Sequence, residues 1–139
     1  MWRNNRTVFV VFLVVMMCTL AYSRASRPRS IVSGTWGADH IRINVVNGSA
    51  TIDYDCANGI INGPLSVDRA GKFNLNGSHI RERGGPIRRD QKTDRRPARY
   101  TGWTDGRKMM LTVILTDTNE EIGTFTLVRG EQGRVWKCK

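Results

Sequence analysis

Apolar residues recur at every second position along most of this chain, and no stretch of ten or more residues repeats them at helical spacing. Period two marks a strand with one buried face, so such a chain folds by pairing strands. Ile41, Ile43 and Val45 alternate with Arg42 and Asn44, and Asn47-Gly48 then supplies a two-residue hairpin turn. The return strand sets Ala50, Ile52, Tyr54 and Cys56 against Thr51, Asp53 and Asp55. Leu65 and Val67 begin a short strand that Asp68 to Gly71 turns toward Phe73 and Leu75. The strongest alternation runs Met109, Leu111, Val113 and Leu115, and Phe125 and Leu127 follow before a last strand over 135–138. This all-β pattern predicts an antiparallel meander of about eight short strands. A small β-barrel is the expected architecture because closure removes free edges, and a two-sheet β-sandwich is the alternative.

The N-terminus is written differently. Arg3 and Arg6 precede an apolar run from Val8 to Leu20, interrupted only by Thr19, and Ala21-Tyr22-Ser23 then offers small residues for cleavage. This predicts a secretory signal peptide over residues 1–23. The run falls short of the ~20 apolar residues that a spanning helix needs. Met16-Met17 before Cys18 does not resemble a lipoprotein site, so no lipidation is expected. The expected location is therefore exported, either periplasmic or extracellular. Removing Cys18 leaves Cys56 and Cys138, which are expected to form a structural disulfide in that compartment. The remaining organisation is a basic flexible tail over 24–32 and one domain over 33–139.

Formal charge is +10, and its placement is uneven. Residues 24–30 carry three arginines and no acid, while residues 81–99 carry eight basic residues against Glu82, Asp90 and Asp94. The second cluster predicts an exposed basic loop at about 83–97, where paired guanidiniums bind phosphate or carboxylate bidentately. Arg83, Arg88, Arg89, Arg95 and Arg96 are its candidate binding residues. The matching partner is an anionic surface polymer, a lipid headgroup or an acidic protein face. Nucleic acid fits less well, because no aromatic lies between residues 81 and 99 to stack on bases.

No catalytic constellation is visible: there is no Gly-x-Ser-x-Gly elbow, no His-Glu-x-x-His and no phosphate-cradling glycine loop before a helix. No enzyme activity and no cofactor are expected. A metal site would draw on His40, His79 and Glu82, with Asp55, but nothing in their spacing forces three ligands to converge. His79 shares parity with Phe73 and Leu75 and is expected to point inward.

Gly34-Thr35-Trp36, at the start of the first strand, resembles the Gly-x-Trp that opens lipocalin and other calycin barrels. In those families a basic residue of the last strand packs over the tryptophan, and the resemblance assigns that place to Arg134. It also implies a small apolar-ligand carrier, with Trp36, Tyr54, Tyr100 and Trp103 near a cavity mouth. A second similarity spans more of the chain. Gly34-x-Trp36-Gly37 with His40, Asp55-Cys56-Ala57, Glu82 to Pro86 and Lys137-Cys138 look like a group of small exported bacterial proteins of unassigned function.

These readings lead to an exported, non-enzymatic binding module that meets an anionic partner through its basic loop. A calycin-type carrier is the alternative, and an inhibitor of a secreted protease, with the arginine-rich loop as bait, is the third.

Overall fold

The structure is a computed structural model that describes residues 29–86 and 92–138. The predicted signal peptide, Cys18 and the first part of the basic tail lie outside the described residues, as do Arg88 and Arg89.

Ten strands follow one another: β1 (Arg29–Ser30), β2 (Gly34–Ala38), β3 (Ile41–Val46), β4 (Ser49–Tyr54), β5 (Ala57–Ile61), β6 (Ser66–Val67), β7 (Lys72–Arg81), β8 (Asp94–Thr104), β9 (Lys108–Leu115) and β10 (Glu120–Arg129). Eight of them close into an antiparallel barrel in the order β10-β2-β3-β4-β5-β7-β8-β9. The meander and the barrel are thus as expected from the alternation, and there is no helix among the described residues. Asn47 and Gly48 both take positive φ (50° and 78°), as the tight β3–β4 hairpin requires.

Parity carries the core. Ile41, Ile43 and Val45 point inward from β3, Ile52 and Tyr54 from β4, and Met109, Leu111, Val113 and Leu115 from β9, and all are buried. Trp36 and Tyr100 are fully buried and fill the middle of the barrel. Tyr100 fits because two neighbouring strands carry glycine opposite it. A Cβ at Gly59 would lie on the Tyr100 hydroxyl, and one at Gly77 would come within 2.9 Å of its ring.

Three expectations fail in instructive ways. Residues 29–32 are not a free tail: β1 pairs with β6, and Ile31 N donates to Leu65 O at 2.8 Å. Ile31 and Leu65 are buried there and cap one end of the barrel, and Trp36 Nε1 donates to Val32 O at 3.1 Å from beneath. The basic loop is shorter than expected, because β8 already begins at Asp94 and takes Arg95 and Arg96 into the wall. Residues 135–138 form no strand. The segment after β10 runs back across the other end, bridging Asp39 to Arg134, and leaves Trp136 55% exposed.

That segment is fastened by the expected disulfide, Cys56–Cys138, which closes 82 residues of chain. The bond sits at the rim beside the β4–β5 turn, where Cys56 takes φ 54° and its N–H meets Trp136 O.

Candidate ligand cup at the open end

Opposite the capped end, the barrel wall opens into a cavity of about 600 Å³. Its position follows from local chain geometry. β4 ends at Tyr54, β5 starts at Ala57, β7 ends at Arg81 and β10 starts at Glu120, so the last inward residue of each strand faces the mouth. β10 adds a bulge between Glu121 and Gly123, and the extra residue, Ile122, joins the lining.

The floor is aromatic. The Tyr54 ring lies 5.3 Å from the His79 imidazole and 6.0 Å from the Phe125 ring, in tilted contacts. His79 is buried, as its parity predicted, and burial lowers its pKa, helped by the nearby charges of Arg81 and Arg96. Tyr54 is buried too, yet its hydroxyl makes no hydrogen bond of normal geometry. Burial and the approach of the Tyr100 hydroxyl push the Tyr54 pKa well above that of a free phenol. Tyr100 itself donates to Ser78 O at 2.9 Å and is pushed up to about 12 by burial.

The rim is ionic. Asp55, Glu82, Glu120 and Glu121 line it together with Arg81 and His40. Asp55 is held below the usual carboxylate range, first by the Trp136 N–H at 2.7 Å and then by His40, whose Nδ1 lies 2.5 Å from Oδ2. The Trp136 ring packs 5.1 Å from the His40 ring, so the C-terminal segment lies beside this solvent-exposed pair. Burial alone would raise Glu82, but hydrogen bonds from Asn58 and Lys137 outweigh it and hold the carboxyl low.

His40 and Asp55 form a base-and-orienter pair in geometry, but among the described residues no serine or threonine lines the cavity, and its two cysteines are bonded to each other. His40, His79 and Glu82 share the cavity without converging: among the described residues no three His, Cys, Asp or Glu side chains are placed to hold a metal ion.

The four aromatic residues expected around one mouth are divided. Tyr54 alone lines the cup, Trp36 and Tyr100 are core, and Trp103 is 39% exposed at the capped end. Arg134 does not pack over Trp36. It pairs with Asp39 at 2.9 Å on the outside of the open end, while the residue beside Trp36 in the strand register is Arg129. The basic cluster is divided as well. Arg83 is exposed on the loop, and Arg95 Nη1 reaches Ser78 Oγ at 3.3 Å. Arg96 is engaged by the β9–β10 turn, donating to Asp117 at 2.8 and 2.9 Å and to Thr118 Oγ1 at 2.8 Å, with Glu120 at 3.5 Å.

Sequence reasoning missed Phe125 and Ile122 as lining residues and Glu120 and Glu121 as rim residues. Phe125 was legible as an inward position, but the bulge that brings Ile122 into the mouth has no local signal. Comparison with protein-family models, curated proteins and solved structures finds no match to this chain.

Proposed function

We propose that this protein is an exported, non-enzymatic carrier or sensor that takes a small ligand in the cup. The observation that supports it most is the juxtaposition of an aromatic floor with a carboxylate-rich rim around about 600 Å³ of space. Tyr54, His79, Ile122 and Phe125 suit a flat apolar ring, and Asp55, Glu120 and Glu121 suit a cationic group at its outer end. A disulfide-bonded barrel of this size fits an exported protein.

The test is fluorescence titration of the full chain with two aromatic dyes, cationic acridine orange and anionic anilinonaphthalene sulfonate. The expected result is saturable one-to-one binding of the cation and weak binding of the anion, with Phe125→Ala and Glu121→Gln each weakening the cation several-fold. Binding of the cationic dye that neither replacement changes overturns the reading, as does no binding at all.

A second reading keeps the anionic partner on the basic loop. Arg83 and Lys92 are exposed there and form no ion pair among the described residues. It predicts salt-sensitive retention on anionic polymers that Arg83→Gln with Lys92→Gln reduces; retention unchanged by the pair of replacements defeats it.

A further inference from the structure

The capped end carries a surface that neither the cup nor the loop uses. Trp103 on β8 and Met110 on β9 sit opposite each other in the strand register and both face outward, 39% and 51% exposed. Val128 on β10 and Val32 in the capping segment are exposed at the same end. Trp103 and Val32 also line a groove of about 290 Å³ between the capping segment, the β6–β7 turn and the β8–β9 turn. Among the described residues, every large apolar side chain that is well exposed, Trp136 excepted, lies at this end.

Cations surround the patch. Arg29, Arg69, Lys72, Arg107, Lys108 and Arg129 belong to the strand ends and turns that make this end, and all six are exposed. Lys72 is paired in register with Trp103, and Lys108 with Val128, so charge and apolar surface interleave. Against these six cations stand three acids, Asp68, Asp105 and, in the turn after β10, Glu131. Asp68 and Asp105 are turned onto backbone: Asp68 Oδ1 accepts from Ala70 N and Lys72 N, and Asp105 Oδ1 from Arg107 N and Lys108 N.

We infer that this end docks on an anionic lipid surface, with Trp103 and Met110 entering the headgroup layer and Lys72, Arg107, Lys108 and Arg129 meeting lipid phosphates. An amphipathic indole beside an aliphatic thioether, ringed by ammonium and guanidinium groups, matches the two halves of that interface. An acidic protein face would match the cations but leave the Trp103–Met110 pair without a counterpart of its own.

The experiment uses the full chain with Trp2 and Trp136 replaced by phenylalanine, leaving Trp36 in the core and Trp103 as the exposed reporter. It is mixed with vesicles of brominated phosphatidylglycerol or brominated phosphatidylcholine. The expected result is a blue shift and quenching of Trp103 in the anionic vesicles only. Both are lost in the Lys72→Gln, Arg107→Gln, Lys108→Gln triple variant, whose binding weakens on the order of 100-fold at low salt. Trp103→Ala should reduce vesicle binding while leaving dye binding at the cup intact, since that side chain is outside the core cluster. Equal quenching in the two lipids overturns the inference, and so does binding of the triple variant at wild-type strength. Retention on an anionic polymer or an acidic protein with no Trp103 response to vesicles overturns it too. The cup dyes serve as an independent control: their binding is expected to be unaffected by any of these replacements.

Discussion

The two ends of this barrel solve the same problem in opposite ways. At the capped end the chain folds its own residues, Ile31 and Leu65, over the core and leaves cations around the outside. At the disulfide end no apolar plug closes the mouth among the described residues; aromatic rings form a floor and carboxylates form the rim. The first end is held by packing and the second by a covalent bond and a set of ion pairs, so their stabilities respond to different changes. What the contrast teaches is that a short barrel needs only one plug. Once Trp36 and Tyr100 fill the middle, the remaining end is free to hold something else.

Removing the covalent hold should separate the ends most. Replacing Cys56 and Cys138 by serine is expected to cost about 4–5 kcal/mol from loop-closure entropy, read as a lower melting temperature. Hydrogen exchange should then rise in residues 130–138 and around Ala57, while Ile31 and Trp36 keep their protection. Loss of protection at both ends together would show that they are one cooperative unit.

Next in size is the plug itself. Leu65→Ala leaves a cavity beneath the capping segment and is expected to cost about 3 kcal/mol in denaturant unfolding. Dye binding at the cup should survive it. A cup that fails along with the plug would mean the floor is positioned from below.

A smaller effect is expected at Arg96, which ties β8 to the β9–β10 turn through Asp117, Thr118 and Glu120. The carboxylates are open to solvent and Arg96 is half-buried, so Arg96→Gln should lower the melting temperature modestly. It should change dye affinity more than stability, because the rim carboxylate of Glu120 then loses its neighbouring cation. Salt should narrow the difference between variant and wild type.

The smallest is a pH effect at the floor. Folding lowers the His79 pKa from the ordinary 6.5 through burial, so the unfolded chain binds this proton more readily. Stability from the neutral ring is therefore complete above pH 6.5 and declines as pH falls through that value toward the folded pKa. His79→Gln should flatten the slope of unfolding free energy below pH 6.5. A slope that persists unchanged assigns it to other groups.

Much of this architecture was legible because strand parity is a local property. The inward sets on β3, β4 and β9, the Asn47-Gly48 turn and the inward aim of His79 all follow from positions two residues apart. What escaped was contributed by partners distant in sequence. Ile31 meets Leu65 across the barrel end, Arg96 finds Asp117 twenty-one positions away, and Trp136 reaches His40 and Asp55 from the far terminus. Arg95 and Arg96 read as loop because Pro97 follows them. In the structure Pro97 is exposed on β8, and its carbonyl accepts from Thr116 N. The cup was missed for the same reason: its floor draws on β4, β7 and β10 at once, and no local pattern announces a meeting of three strands.

The disulfide also makes the barrel indifferent to a break in its longest loop. Residues 83–86 and 92–93 are exposed, and Arg83 and Lys92 are sites where a trypsin-like enzyme would cut. The two resulting pieces would carry Cys56 and Cys138 respectively and remain one molecule through that bond, with β7 and β8 still paired over ten residues. Proteolysis of the loop would therefore yield a two-chain protein that migrates intact until reduced, with both ends of the barrel still in place.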